Sequence, residues 1–191
     1  MRNAGPVSGH RITSYRTEGY GILSATRFIA RLYEFTRSDT HTVPVELLCD
    51  NNLSMVGHVR KLLPSTNDTV LLSAGDQHFT LTTTQPEWDV LNEIWHTVKE
   101  WKGLKINHVK GHQDTQTPAE TLSLEARLNI EADALAGQYL RRHPAPRYQC
   151  QLFPHTHIHL HLDGHTITYR HARSIRNAES DVAMVQYLKE K

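Results

Sequence analysis

VPVELLCD, residues 43–50, is a short run of mostly apolar residues that carries a single charge before its last position, Glu46, and ends on Asp50. A stretch of this kind reads as a strand buried in a sheet, where both faces are covered and alternation is lost. Its neighbours are helical. Upstream, residues 17–36 place Ile22, Ala25, Ile29 and Leu32 along one helical face, with Ser14 or Thr17 available as a cap. Downstream, LSMVGHVRKLL, residues 53–63, suits a helix in spite of Gly57 and is ended by Pro64.

Residues 65–84 are rich in Thr, Ser, Asp and Asn, with a short strand or hairpin expected around 69–82. Thr84 and Glu87 stand three apart around Pro86, a capping-box pattern that opens a helix through Trp88, Leu91, Ile94, Trp95 and Val98 and stops before Gly103. LKINHV, residues 104–109, alternates as a second strand, and GHQDTQTPAET, residues 111–121, is a loop. A long helix follows from Ser123 to Arg142, with Leu124, Leu128, Leu135 and Leu140 expected to be buried. Two strands separated and flanked by helices indicate an α/β sheet rather than a bundle.

The chain is expected to divide into a main domain at 1–142, a proline-containing linker at 143–153 and a tail at 154–191. In the tail, HIHLHLDGHTITYRH, residues 157–171, alternates around Asp163-Gly164, a strong hairpin signal. A last helix is expected from about Ser180 to Lys189. Alternation also sets His155, His157, His159 and His161 on one strand face, read as a polar outer face, with zinc capture as the alternative.

A length of 191 residues at 38% hydrophobic content suffices for one sizeable core with an appendage. Cys49 and Cys150 are too few for a disulfide framework or a cysteine zinc cluster, read as ordinary free thiols, and favour a reducing compartment. No apolar run approaches the roughly 20 residues that span a bilayer, and the first residues lack the apolar centre of a secretory signal. The expectation is an intracellular protein, cytoplasmic or nuclear, with no membrane partner. The net charge of +1 hides basic ends, with 6 Lys or Arg against 2 Asp or Glu in residues 1–38 and 8 against 4 in 141–191. Residues 39–140 hold 7 basic and 14 acidic side chains. An acidic centre suits cations and basic flanks suit phosphates, although solvated faces can sort this way by themselves.

Three carboxylates stand where chemistry would use them: Glu18 in the first turn of the first helix, Asp50 at the end of a buried strand, and Asp133 inside the long helix. Each has a plainer reading. Glu18 could complement a helix N-terminus, Asp50 could cap the next helix, and Asp133 could lie on a solvated face. Asp50 is the most informative, because open α/β sheets build their sites at the carboxyl ends of strands.

Four blocks sharpen these readings: SYRTEGYGIL at 14–23, LLCDNN at 47–52, HVKGHQD at 108–114, and LNIEADALAG at 128–137, which sets Asn129 and Asp133 four apart on one helical face. In order and rough spacing they resemble the ribonuclease H family, over residues 5–142, and their wording is closer to the domain appended to retroelement reverse transcriptases than to a free-standing enzyme. The resemblance implies a mixed sheet flanked by helices, followed here by a β-hairpin and helix. It implies a two-metal phosphodiesterase cutting the RNA strand of RNA–DNA hybrids with Mg²⁺ or Mn²⁺, since two such ions need several hard carboxylate ligands. Glu18, Asp50 and Asp133 then match three of four metal ligands. His112 matches a mobile histidine that assists proton transfer or product departure, and Asn51 and Asn129 are sugar-contact or supporting residues. The implied partners are an RNA–DNA hybrid and an upstream reverse transcriptase domain. A non-catalytic remnant of such a domain, nucleic-acid-binding or merely structural, is the alternative.

The family's first strand carries an aspartate about 30 or more residues before the glutamate, whereas 17 residues precede Glu18. The expectation is therefore an N-terminally truncated form of the domain with impaired activity, whether as a fragment, a late-started reading frame or a decayed element. A circular permutation placing Asp163 as the absent ligand is the lesser alternative to a plain hairpin.

Overall fold

The computed structural model describes residue 7 and residues 13–38, 43–50, 55–64, 86–115, 117–143, 153–155, 160–162, 165–168 and 170–190. Asn51, the expected strand or hairpin at 69–82, Thr84, Cys150, His157, His159 and Asp163 lie outside the described residues. Among those described the order is α1 (Ser14–Thr36), β1 (Val45–Cys49), α2 (Gly57–Leu62), α3 (Trp88–Val98), β2 (Leu104–His108), α4 (Leu124–Arg142), β3 (His161–Leu162), β4 (His165–Thr166) and α5 (His171–Lys189). The fold is mixed α/β with a small parallel sheet: β1 pairs β2 from Val45 beside Leu104 to Cys49 beside His108. Val109 continues the ladder by donating its N–H to the Cys49 carbonyl at 3.1 Å.

α1 begins earlier than its apolar spacing suggests. Thr13, not Ser14 or Thr17, is the cap, and its hydroxyl accepts the Arg16 N–H at 3.0 Å. The buried face runs through Arg16, Gly19, Ile22, Leu23, Thr26 and Tyr33, so Ile29 is only half-buried and Leu32 is exposed. Gly19 permits the close approach of α3 and of the turn that leads into α2: a Cβ there would stand 2.7 Å from Met55 Cε and 2.9 Å from Val90 Cγ1. Across this contact α3 buries Trp88, Val90, Leu91, Ile94 and Val98. Full burial of such side chains stabilises by roughly 1.5–3 kcal/mol each relative to exposure.

Polar groups lock the same interface. Arg16 is 0% exposed and donates to Glu87 at 2.6 Å and to Asp89 at 2.9 and 2.8 Å. Glu87 is thus not the N3 partner of a capping box: it occupies the N-cap position of α3 itself, at φ 55, and its side chain turns to Arg16 and Thr13. Burial pushes its carboxyl above the usual range while Arg16 pulls it down. Further along, buried Glu93 takes Arg27 at 2.5 Å and the His155 backbone N–H at 2.8 Å.

Four expectations need correction. On α4, Leu124, Leu128 and Leu140 are 59%, 49% and 67% exposed and only Ala126 is buried, because α4 rests on the end of β1 and the turn at Gln113–Thr115, which are too small to cover its length. Phe153, assigned to the linker, packs in the main core against Tyr20. α5 starts at His171, nine residues before Ser180, so the arginine-bearing segment is helical too. His155 is not a strand residue; its ring stacks on His96 with centroids 4.0 Å apart and meets Glu93. β3 and β4 pair antiparallel as a separate two-stranded sheet, which places them as a hairpin and not as a strand between β1 and a neighbour. None of the described helices is long and apolar enough to cross a membrane.

Candidate metal centre

The carboxyl ends of β1 and β2 lie side by side because the pair is parallel, and the residues that follow each strand emerge together. From β1 come Cys49 and Asp50. From α1 comes Glu18, in the second helical turn rather than the first, since the helix starts at Ser14. One ligand atom from each of Glu18, Cys49 and Asp50 lies within 4.8 Å of the other two. The Cys49 thiol donates to Glu18 Oε2 at 3.4 Å.

Two further segments close on this cluster. After β2, Gly111 brings its backbone against Asp50, so that a Cβ at this position would meet Asp50 Oδ2 at 2.8 Å. From α4, Asn129 donates to Asp50 Oδ2 at 3.5 Å. Asp133, one helical turn on, does not belong to the tight cluster: its side chain is 47% exposed and lies 3.9 Å from His112 Nδ1 at the rim. His112 is more open still and adopts a left-handed backbone, φ 53, in the loop.

The electrostatics tie the rim to the cluster. Burial raises the Glu18 carboxyl above its ordinary value, and the charges of Asp50 and Asp133 raise it further. Asp133 is likewise raised, by burial first and then by Asp50, with His112 acting in the opposite direction. Crowded carboxylates that hold protons against their ordinary tendency are what a divalent cation would relieve. Glu18 and Asp50 offer the hard oxygen donors that Mg²⁺ or Mn²⁺ takes, so these residues fit such an ion.

Two of the plainer readings fail on this geometry. Asp50 does not cap α2, whose N-cap is Val56 without a side-chain bond, and Glu18 is past the first turn of α1. Asp133 keeps part of its solvated-face character. Sequence reasoning missed Cys49 and Gly111 as members of the site. Their signals were Cys49's position immediately before Asp50 and the glycine inside HVKGHQD. Comparison with protein-family models, with curated proteins and with solved structures finds no match.

Proposed function

We propose that this chain carries a ribonuclease H-type nuclease domain that hydrolyses the RNA strand of RNA–DNA hybrids with Mg²⁺ or Mn²⁺, and that it derives from a retroelement reverse transcriptase. The observation that carries the reading is the convergence of Glu18, Asp50, Asn129 and the His112–Asp133 pair, from four separate stretches, at the carboxyl end of a parallel strand pair. Glu18 and Asp50 would hold the cation, with Asp133 joining from the rim. Bound there, a divalent ion supplies a water of lowered pKa and stabilisation of charge on a leaving oxygen. Asn129 fixes the Asp50 carboxylate by its hydrogen bond. His112, exposed and beside Asp133, is placed to carry a proton to or from a departing group. Choice of RNA over DNA would rest on contacts to the 2′-hydroxyl.

A second reading, a nucleic-acid-binding domain without chemistry, is favoured by one observation: Asp133 stands half-exposed at the rim and outside the tight cluster. Incubating the chain with end-labelled RNA–DNA, DNA–DNA and RNA–RNA duplexes in Mn²⁺ separates the two. Cleavage of the RNA strand of the hybrid alone supports the nuclease. Retention of the hybrid on the protein without a cut supports the binding domain.

A further inference from the structure

The carboxylates of the candidate centre share it with a sulfur. Cys49 is 4% exposed, and its thiol hydrogen goes to Glu18, so the sulfur faces the acidic residues as well as the core it helps fill. Donors around a tetrahedral ion with bonds of about 2.0–2.3 Å stand about 3.5 Å apart. The Cys49 Sγ to Glu18 Oε2 separation of 3.4 Å matches that spacing, and Asp50, the next residue along the chain, lies within 4.8 Å of both. An all-oxygen set would favour Mg²⁺ and would discriminate weakly among other hard ions. A thiolate changes the ranking, because soft and borderline ions such as Cd²⁺ and Zn²⁺ bind sulfur far better than Mg²⁺ does.

We infer that Cys49 is the metal-selecting residue of this centre, giving it a high-affinity mode for thiophilic divalent ions that competes with Mg²⁺. The inference rests on the reading of Glu18 and Asp50 as cation ligands. In this mode the sulfur–hydrogen bond of Cys49 breaks, a metal–sulfur bond forms and the proton passes to solvent, with no change of oxidation state. The ion's charge offsets the cost of placing a thiolate beside two carboxylates. Held by Glu18, Cys49 and Asp50 together, such an ion occupies the ligands that Mg²⁺ needs, so Zn²⁺ at low concentration acts as an inhibitor of Mg²⁺-dependent chemistry at the site.

The test is a Cd²⁺ titration of the full chain carrying Cys150→Ser, so that Cys49 is the sole thiol, read by the thiolate-to-cadmium charge-transfer absorption in the ultraviolet. The expected result is a band that saturates at one ion per chain. Adding Cys49→Ser should abolish the band and weaken Cd²⁺ at least about tenfold, or about 1.4 kcal/mol, and by a larger factor than it weakens Mn²⁺, whose affinity is read by its paramagnetic resonance signal. No band in the Cys150→Ser protein overturns the inference without any substitution at Cys49. A band with Cd²⁺ affinity unaltered by Cys49→Ser overturns it as well. If Mn²⁺ binding requires Asp50 while Cd²⁺ gives no band, only the role of Cys49 falls. If Glu18→Gln and Asp50→Asn together leave Mn²⁺ and Cd²⁺ binding unaltered, the centre itself falls and the inference with it.

Discussion

Removing the buried guanidinium of Arg16 should unfold much of the stability of this domain, and the structure sets the scale. Arg16 is fully buried between α1 and the start of α3, with three hydrogen bonds to Glu87 and Asp89, both themselves buried. Arg16→Met keeps much of the side-chain volume and leaves two carboxylates facing one another without a counter-charge. Breaking a buried pair from one side costs about 3–5 kcal/mol, against a total stability of about 5–15 kcal/mol for a typical domain. With a urea slope of about 2 kcal/mol/M, the midpoint should fall by about 1.5–2.5 M in equilibrium unfolding followed by circular dichroism. Adding Glu87→Gln and Asp89→Asn should then recover about 1–2 kcal/mol, because the stranded charges are gone. A midpoint shift below about 0.5 M for Arg16→Met, or no recovery in the triple variant, would refute the assignment of this network as the lock between α1 and α3. Since Arg16 lies two residues before Glu18 on the same helix, the variant should also weaken divalent-cation binding.

The remaining predictions concern the candidate centre. Glu18, Asp133 and Glu87 all have raised carboxyls, chiefly through burial. A group whose folded value lies above its unfolded value contributes stability below the unfolded value and loses it as pH rises through the folded one. In chelator the protein should therefore be more stable in mild acid than at neutral pH, and Mn²⁺ should restore part of the loss at neutral pH but not in mild acid; a thermal-melt series that shows equal stability across this range would contradict it. Gly111→Ala puts a Cβ 2.8 Å from Asp50 Oδ2 and must displace that carboxylate. It should weaken Mn²⁺ about tenfold or more with little effect on the melting temperature, and an unaltered isotherm would show that the loop does not set the position of Asp50.

The elements were legible where local chemistry and burial agree. β2 and α3 were readable because their apolar patterns answer to surfaces that cover them, whereas β1 forms where expected but fully buries only Cys49, with Val45, Leu47 and Leu48 half-buried; Ser123, expected as the first residue of the long helix, is its cap. The leucines of α4 misled, since helical spacing reports a stripe but not whether another layer exists to bury it. The inner face of α1 was misread for the converse reason: its centre holds Arg16, Gly19 and Thr26, whose burial depends on partners far along the chain. Glu18 and Asp50 could be placed from strand and helix position, because the end of a parallel strand and a neighbouring helix meet by geometry. Cys49 was passed over because a single thiol carries no pattern of its own, and its meaning comes only from Glu18, 31 residues away.

Asp50 is the hub of the candidate centre: it stands within 4.8 Å of Glu18 and Cys49, accepts from Asn129 of α4 and has Gly111 of the loop against it. The deciding measurement is the single-turnover rate at which the chain and its Asp50→Asn variant, matched for folding by circular dichroism, cut the labelled RNA strand of an RNA–DNA hybrid in Mn²⁺. The unmodified chain should cleave the RNA strand, and the rate should fall by at least about a hundredfold in the variant, as expected when a ligand to a catalytic ion is removed. Equal rates from the two proteins, or no cleavage by either, would contradict the nuclease reading.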